Sequence, residues 1–270
     1  MVNESHVVSL LSPNATDIEK YGAKVANLAK AVHLGFAVPK GLAVSKACTE
    51  DEFAIMAQDI INELSLPVAV RSSAVDEDSK TKTFAGQFKT CLGIGAIDAL
   101  VSAFSKVKNS GTAGHVKNYH GEAVLPEQIA VLIQRMVHDV TRSGIAFSKD
   151  PISGESKTII ESAYGLGKSV VDGSITPDSI EFFNDGTCKT YIGRKSTQIT
   201  LTDNGIREQV TPEADSQRSS LTEEEIRAVA ELTQKVERVF GFAADIEWAY
   251  DADGTLWLLQ ARPITTIFAN

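Results

Sequence analysis

Hydrophobic positions along this chain recur with two periods, and the switches between them mark out its elements. Residues 22–34 place Val25, Leu28, Ala29 and Val32 at helical spacing, with Gly35 as a stop and Pro39 forcing an extended exit. Residues 67–75 have the β-branched content of a strand that carries Arg71 into a charged loop, and a second strand follows near 88–94. Residues 97–108 read as a helix and 109–121 as turn material. Apolar strands at 129–137 and 143–148, separated by a short polar turn, predict a hairpin. Residues 157–167 read as a strand leaving into a glycine-rich turn, and 184–220 as a polar surface hairpin followed by a loop. The clearest helix spans 223–240. Thr222 serves as N-cap, Glu225 completes a capping box, and Ile226, Val229, Leu232, Val236 and Val239 form the apolar stripe that Gly241 closes. Antiparallel hairpins mixed with helices predict an α+β fold.

The last segment can be worked out further. Residues 243–250 and 255–262 flank Asp251-Ala252-Asp253-Gly254, a strong hairpin signal. With Ala252 and Asp253 as the two loop residues, Trp248 faces Trp257 and Ile246 faces Leu259 on an apolar face. The opposite face then carries Asp245, Glu247, Gln260 and Arg262. Glu247 and Gln260 become diagonal neighbours about 7–8 Å apart. Two side-chain oxygens so placed can share one Mg²⁺, and Arg262 presents a planar fork to a phosphate. The same pattern also describes an amphipathic hairpin whose polar face meets solvent.

Bulk properties narrow the picture. At 270 residues the chain can form one large domain or two lobes. Its 43% hydrophobic and 23% charged content are ordinary for a soluble enzyme. A formal net charge of −9 argues against a nucleic-acid or anionic-membrane partner, while leaving room for a local cluster of Lys and Arg that binds phosphate. Cys48, Cys91 and Cys188 are far apart and lack zinc-site spacing, which fits idle thiols in a reducing compartment. The first ten residues lack a basic, then apolar, leader, and no apolar run approaches the ~20 residues that span a bilayer. A cytoplasmic protein is expected.

Five segments carry a resemblance. Residues 21–45 (YGAKVANLAKAVHLGFAVPKGLAVS), 68–78 (VAVRSSAVDED) with 84–87 (FAGQ), 131–151 (VLIQRMV…SGIAFSKDP), 159–178 (IIESAYGLGKSVVDGSITPD) and 245–265 (DIEWAYDADGTLWLLQARPIT) occur in this order across nearly the whole chain. They resemble the N-terminal ATP-binding domain of the phosphoenolpyruvate synthase, pyruvate phosphate dikinase and rifampin phosphotransferase family. The resemblance implies an ATP-grasp fold of two lobes with ATP bound between them, approximately residues 1–125 and 126–270. It implies that Lys24 and Arg71 bind the ATP phosphates, under backbone around Ala85, Gly86 and Gln87. Gln134, Met136 and Val137 fall where the family holds adenine. Glu247 and Gln260 take the positions of Mg²⁺ ligands, and Arg262 that of the contact to the transferring phosphoryl group. Taken singly, Lys24 reads equally as a solvated helix lysine, and Arg71 as half of a surface salt bridge. Glu161 occupies an acidic position of one block without an assigned role, and none of the five histidines falls where the family demands one.

Two departures stand out. Val25 replaces a glycine beside the motif lysine, and only about twenty residues separate the first two blocks. The family's TGGxxxH-like phosphohistidine motif is absent from the sequence. The resemblance therefore implies the half of a dikinase-type phosphotransferase that cleaves ATP to AMP, the histidine lying on a partner domain or subunit. Two alternatives stay open: a non-catalytic ATP-binding regulatory subunit, for which Val25 is the one hint, and an ATP-grasp ligase that forms an acyl phosphate and ADP.

Overall fold

The computed structural model describes residues 6–75, 89–112, 128–202 and 205–265. The positions expected to cover the phosphates, Ala85, Gly86 and Gln87, lie outside the described residues, as does the expected lobe boundary at 125/126. The chain divides into two compact units, Met1–Met136 with Thr202–Gly205 and Val137–Leu201 with Ile206–Asn270.

The first unit contains β1 (Val7–Ser9), a 3₁₀ turn (Pro13–Thr16), α1 (Ile18–His33), β2 (Gly41–Val44), α2 (Glu50–Leu64), β3 (Val68–Ala74), β4 (Thr90–Ile94), α3 (Ile97–Lys108) and β5 (Ile129–Arg135). Its strands form one antiparallel sheet in the order β1-β2-β5-β3-β4. The unbroken apolar run of β5 follows from its central place, since both of its faces are covered. Leu132 packs with Tyr21, Val25 and Leu28 of α1 on one side. Val131 and Ile133 pack on the other with Phe53, Met56 and Ile60 of α2 and Leu100 and Phe104 of α3. Phe53 and Phe104 stack there with ring centroids 3.8 Å apart. The sequence reading missed α2, although Thr49 and Glu52 form a capping box ahead of buried Phe53, Met56, Ala57, Ile60 and Leu64.

The second unit contains β6 (Arg142–Phe147), β7 (Thr158–Tyr164), α4 (Lys168–Val171), β8 (Asp178–Phe182), β9 (Cys188–Tyr191), all but the adjoining end residues of β10 (Thr197–Thr202) and β11 (Gly205–Val210), α5 (Glu213–Ser216), α6 (Glu223–Phe240), β12 (Ala244–Tyr250) and β13 (Leu256–Pro263). Six strands form a sheet in the order β13-β12-β6-β7-β8-β9, and β10 pairs with β11 as a separate ribbon. α6 has the predicted capping box of Thr222 and Glu225 and ends at Gly241 in the left-handed conformation. It lies across one face of the sheet, where Gln234 reaches Thr158 and Glu225 pairs with Arg142.

One expectation is overturned. The strands at 129–137 and 143–148 do not form a hairpin, because β5 and β6 belong to different sheets. Neither has an edge to offer the other: β5 is flanked by β2 and β3, and β6 by β12 and β7. Among the described residues, no helix is long and apolar enough to cross a membrane.

Candidate functional site

In the first unit, a break in α1 places a lysine against a strand. Gly22 has φ 77 and ψ 166, a conformation essentially reserved for glycine, and the helix restarts after it. A Cβ at Gly22 would lie 2.1 Å from the Ser73 carbonyl oxygen, so only glycine lets the helix meet β3 this closely. There the Val25 N–H donates to Ser73 Oγ at 3.1 Å, and Lys24 Nζ donates to the Ser72 carbonyl at 3.1 Å. Arg71 is the next residue back along β3. Lys24 and Arg71 are both buried, which a solvated helix lysine or a surface salt-bridge arginine would not be. Val25, the departure from the family's glycine, points its side chain into the core beside Leu28 and Leu132.

Gln134 lies on β5 between Gly41 of β2 and Ala69 of β3, and its side-chain amide donates to the Pro39 carbonyl at 3.3 Å. Met136 follows, its side chain buried and its N–H donating to the Pro67 carbonyl at 3.1 Å. Val137 is the first residue of the second unit.

In the second unit the closing hairpin has a longer turn than expected. Asp251 holds it: one carboxylate oxygen accepts the Thr255 N–H at 2.8 Å, the other accepts the Trp257 indole N–H at 2.8 Å, and Gly254 adopts φ 80. Trp248 therefore faces Leu258 rather than Trp257, and on the far side of a bulge Ile246 faces Ala261 rather than Leu259. Continued unbroken, this register would place Glu247 opposite Leu259 and Asp245 opposite Ala261. A β-bulge between Glu247 and Trp248 takes up Leu259 instead. Glu247 consequently sits directly opposite Gln260, and Asp245 directly opposite Arg262. The predicted polar face is thus present, with direct pairs in place of diagonal ones, whose Cβ atoms are about 4.5–5.5 Å apart.

The electrostatics of this face follow from its burial. Arg262 Nε donates to Asp245 Oδ2 at 2.8 Å. Burial raises the Asp245 carboxyl above its usual range; Arg262 opposes that rise and the charge of Glu247 adds to it. Glu247 and Glu161 flank Ile145 in one cross-strand row, so Glu161 shares the face. Burial, and then the charge of Asp245, raise the Glu161 carboxyl as well. Among the described residues, no group of three His, Cys, Asp or Glu side chains is placed to hold a metal. Glu247 and Gln260, opposite each other on this face, each carry a side-chain oxygen, the ligand type that a hard cation takes alongside water or phosphate. Sequence reasoning gave Asp245 no role and did not single out Ser72 or Ser73. The signal for Asp245 was its place on the face of Arg262, while the serine contacts join residues 48 apart and had no local signature.

Residues 49–269 match the family described as the pyruvate phosphate dikinase AMP/ATP-binding domain. The chain is 30% identical to the prodigiosin synthesizing transferase PigC of Serratia marcescens, over 98% of this chain and 34% of that protein. It is 34% identical to the phosphoenolpyruvate synthase of Neisseria meningitidis serogroup B, over 74% of this chain and 26% of that protein. An uncharacterized phosphotransferase of Bacillus subtilis, YvkC, is 35% identical over 74% of this chain and 24% of its own length. The chain thus spans about a third or less of these relatives. Among solved structures, it is similar to the D-alanine-D-alanine ligase from Coxiella burnetii with a TM-score of 0.42 and 8% identity, covering 93% of this chain and 49% of that one. The matched segment takes in Arg71, Gln134, Glu247, Gln260 and Arg262 but begins after Lys24. By that match over most of its length, the chain belongs to the ATP-binding domain family of the pyruvate phosphate dikinases, and its helices and antiparallel sheets bear out the expected α+β class.

Proposed function

We propose that this chain is the ATP-cleaving part of a cytoplasmic dikinase-type phosphotransferase, which converts ATP to AMP while a histidine on a partner domain or subunit accepts the transferred group. The observation that carries this reading is the β12–β13 face, where Glu247 is opposite Gln260 and Arg262 is held by Asp245. In the proposed reaction the imidazole nitrogen attacks the β-phosphorus of ATP, the bond between the α–β bridging oxygen and the β-phosphorus breaks, and AMP leaves. A neutral imidazole needs no base from this chain. Phosphoryl transfer depends mainly on positioning and charge, and three cationic side chains with a metal-ligand pair would supply both. Lys24 and Arg71 hold phosphate oxygens as a compact charge and a planar fork. Arg262 faces the transferring group with its guanidinium oriented by Asp245. Glu247 and Gln260 would hold Mg²⁺, which when bound neutralises phosphate charge. Gln134, Met136 and Val137 border the adenine, and backbone at Ala85, Gly86 and Gln87 covers the phosphates.

The Val25 side chain, the one hint toward a non-catalytic sensor, is buried in the core and so occupies no space at the phosphates, which supports the catalytic reading. The test is to incubate the chain with ATP labelled at the β-phosphate and a histidine-bearing partner from this family. The expected outcome is AMP together with a labelled histidine, both lost in Arg262→Ala and Glu247→Ala proteins that retain wild-type circular dichroism. ADP as the nucleotide product would favour an acyl-phosphate ligase. Saturable ATP binding without any cleavage would favour a sensor.

A further inference from the structure

We propose that Ser73 is a positioning residue for the phosphate-binding cations, its hydroxyl capping from a neighbouring strand the helix that carries Lys24. This rests on the placement of ATP phosphates at Lys24 and Arg71. A helix leaves its first N–H groups without partners inside the helix, and the N-cap side chain ordinarily accepts from the third residue of the first turn. Here the residue before the restarted helix is Gly22, which has no side chain to offer. The third residue after it is Val25, whose N–H donates to Ser73 Oγ at 3.1 Å. The cap therefore comes from β3.

The fit is mutual. A Cβ on Gly22 would lie 2.5 Å from Ser73 Oγ and 2.1 Å from the Ser73 carbonyl oxygen, so the bare glycine makes room for the serine that caps in its stead. Ser73 is fully buried, which leaves it no direct ligand contact. Its neighbours on both elements are the two cations. Lys24 precedes Val25, and its Nζ donates to the Ser72 carbonyl at 3.1 Å. Arg71 is two residues before Ser73 on the same strand. The lysine is thus tied to the arginine strand at the backbone of its helix through Ser73 and at its ammonium end through Ser72. Without the Ser73 hydroxyl the first turn loses its cap, and binding a triphosphate must order that turn anew.

A purely structural role would lower stability and affect all nucleotides alike, so the test compares two nucleotides. ATP and AMP are titrated calorimetrically, in Mg²⁺, into wild-type, Ser73→Ala and Arg71→Ala proteins. Ser73→Ala is expected to weaken ATP about fivefold to tenfold and AMP less than about twofold, because AMP lacks the β- and γ-phosphates. Equal weakening of both nucleotides, or of neither, would overturn the role of Ser73. If wild type does not prefer ATP to AMP, or Arg71→Ala leaves that preference intact, the phosphate-site reading itself fails and this inference with it. If Ser73→Ala does not fold, Ser73→Cys keeps the shape with a weaker acceptor. It should then show a smaller loss confined to ATP, and an unchanged ratio of the two affinities would overturn the proposal.

Discussion

Glu161 shows how much a single side chain can carry that spacing along a sequence does not record. Its block marked it as an acidic position without a role, and the sheet places it beside Ile145, with Glu247 on the far side. Burial and the charge of Asp245 raise its carboxyl, so the folded protein holds the Glu161 proton more tightly than the unfolded chain does. The sign follows: with more protons bound in the folded state, this group's contribution to stability falls as pH rises through the raised carboxylate range. Glu161→Gln, which mimics the protonated form, is therefore expected to melt higher than wild type at neutral pH in metal-free buffer. The difference should shrink as pH falls and wild-type Glu161 becomes protonated. Thermal melts across that range check this, and a variant less stable than wild type at neutral pH would contradict it. Val25 teaches the converse: its mismatch with the family motif looked like a defect at the phosphate site, yet the side chain faces the core.

At the scale of elements, legibility followed locality. α6 could be read in full, because its capping box, apolar stripe and terminal glycine all lie within its own sequence. The β12–β13 hairpin could be read as a hairpin but not in its register. The Asp251 carboxylate binds the Thr255 and Trp257 N–H groups and lengthens the turn, and the bulge at Leu259 then restores the polar face. Neither effect shows in the alternation of residue types. The pairing of β6 with β7 and β12 was out of reach for a different reason, since β12 lies about a hundred residues further along the chain. That central strand also has little tolerance: a Cβ on Gly144 of β6 would lie 1.8 Å from the Glu161 carbonyl oxygen. Gly144→Ala must push β6 and β7 apart, and is expected to cost about 2 kcal/mol or more of folding stability, measured by urea unfolding. An unchanged midpoint would contradict the close seat of these strands.

For the molecule as a whole, composition pointed to an enzyme-like chain, and the five ordered blocks pointed to its family. The division into units ending at Met136 was not legible, because the strand pattern at 129–137 reads straight across it and only the sheets show that β5 and β6 part there. The chain covers about a third of PigC and about a quarter of the phosphoenolpyruvate synthase it matches, in keeping with a proposed activity that needs a histidine from elsewhere. In the proposed function the β12–β13 face binds the phosphate end of ATP through a cation held by Glu247 and Gln260. Its most direct test is calorimetric titration of ATP with Mg²⁺ into wild-type and Glu247→Gln proteins, with AMP as the control. Wild type should show saturable ATP binding, weakened about tenfold or more in Glu247→Gln, as for loss of a charged ligand, with AMP little changed. Equal ATP affinity in the two proteins, or no saturable binding by wild type, would contradict it.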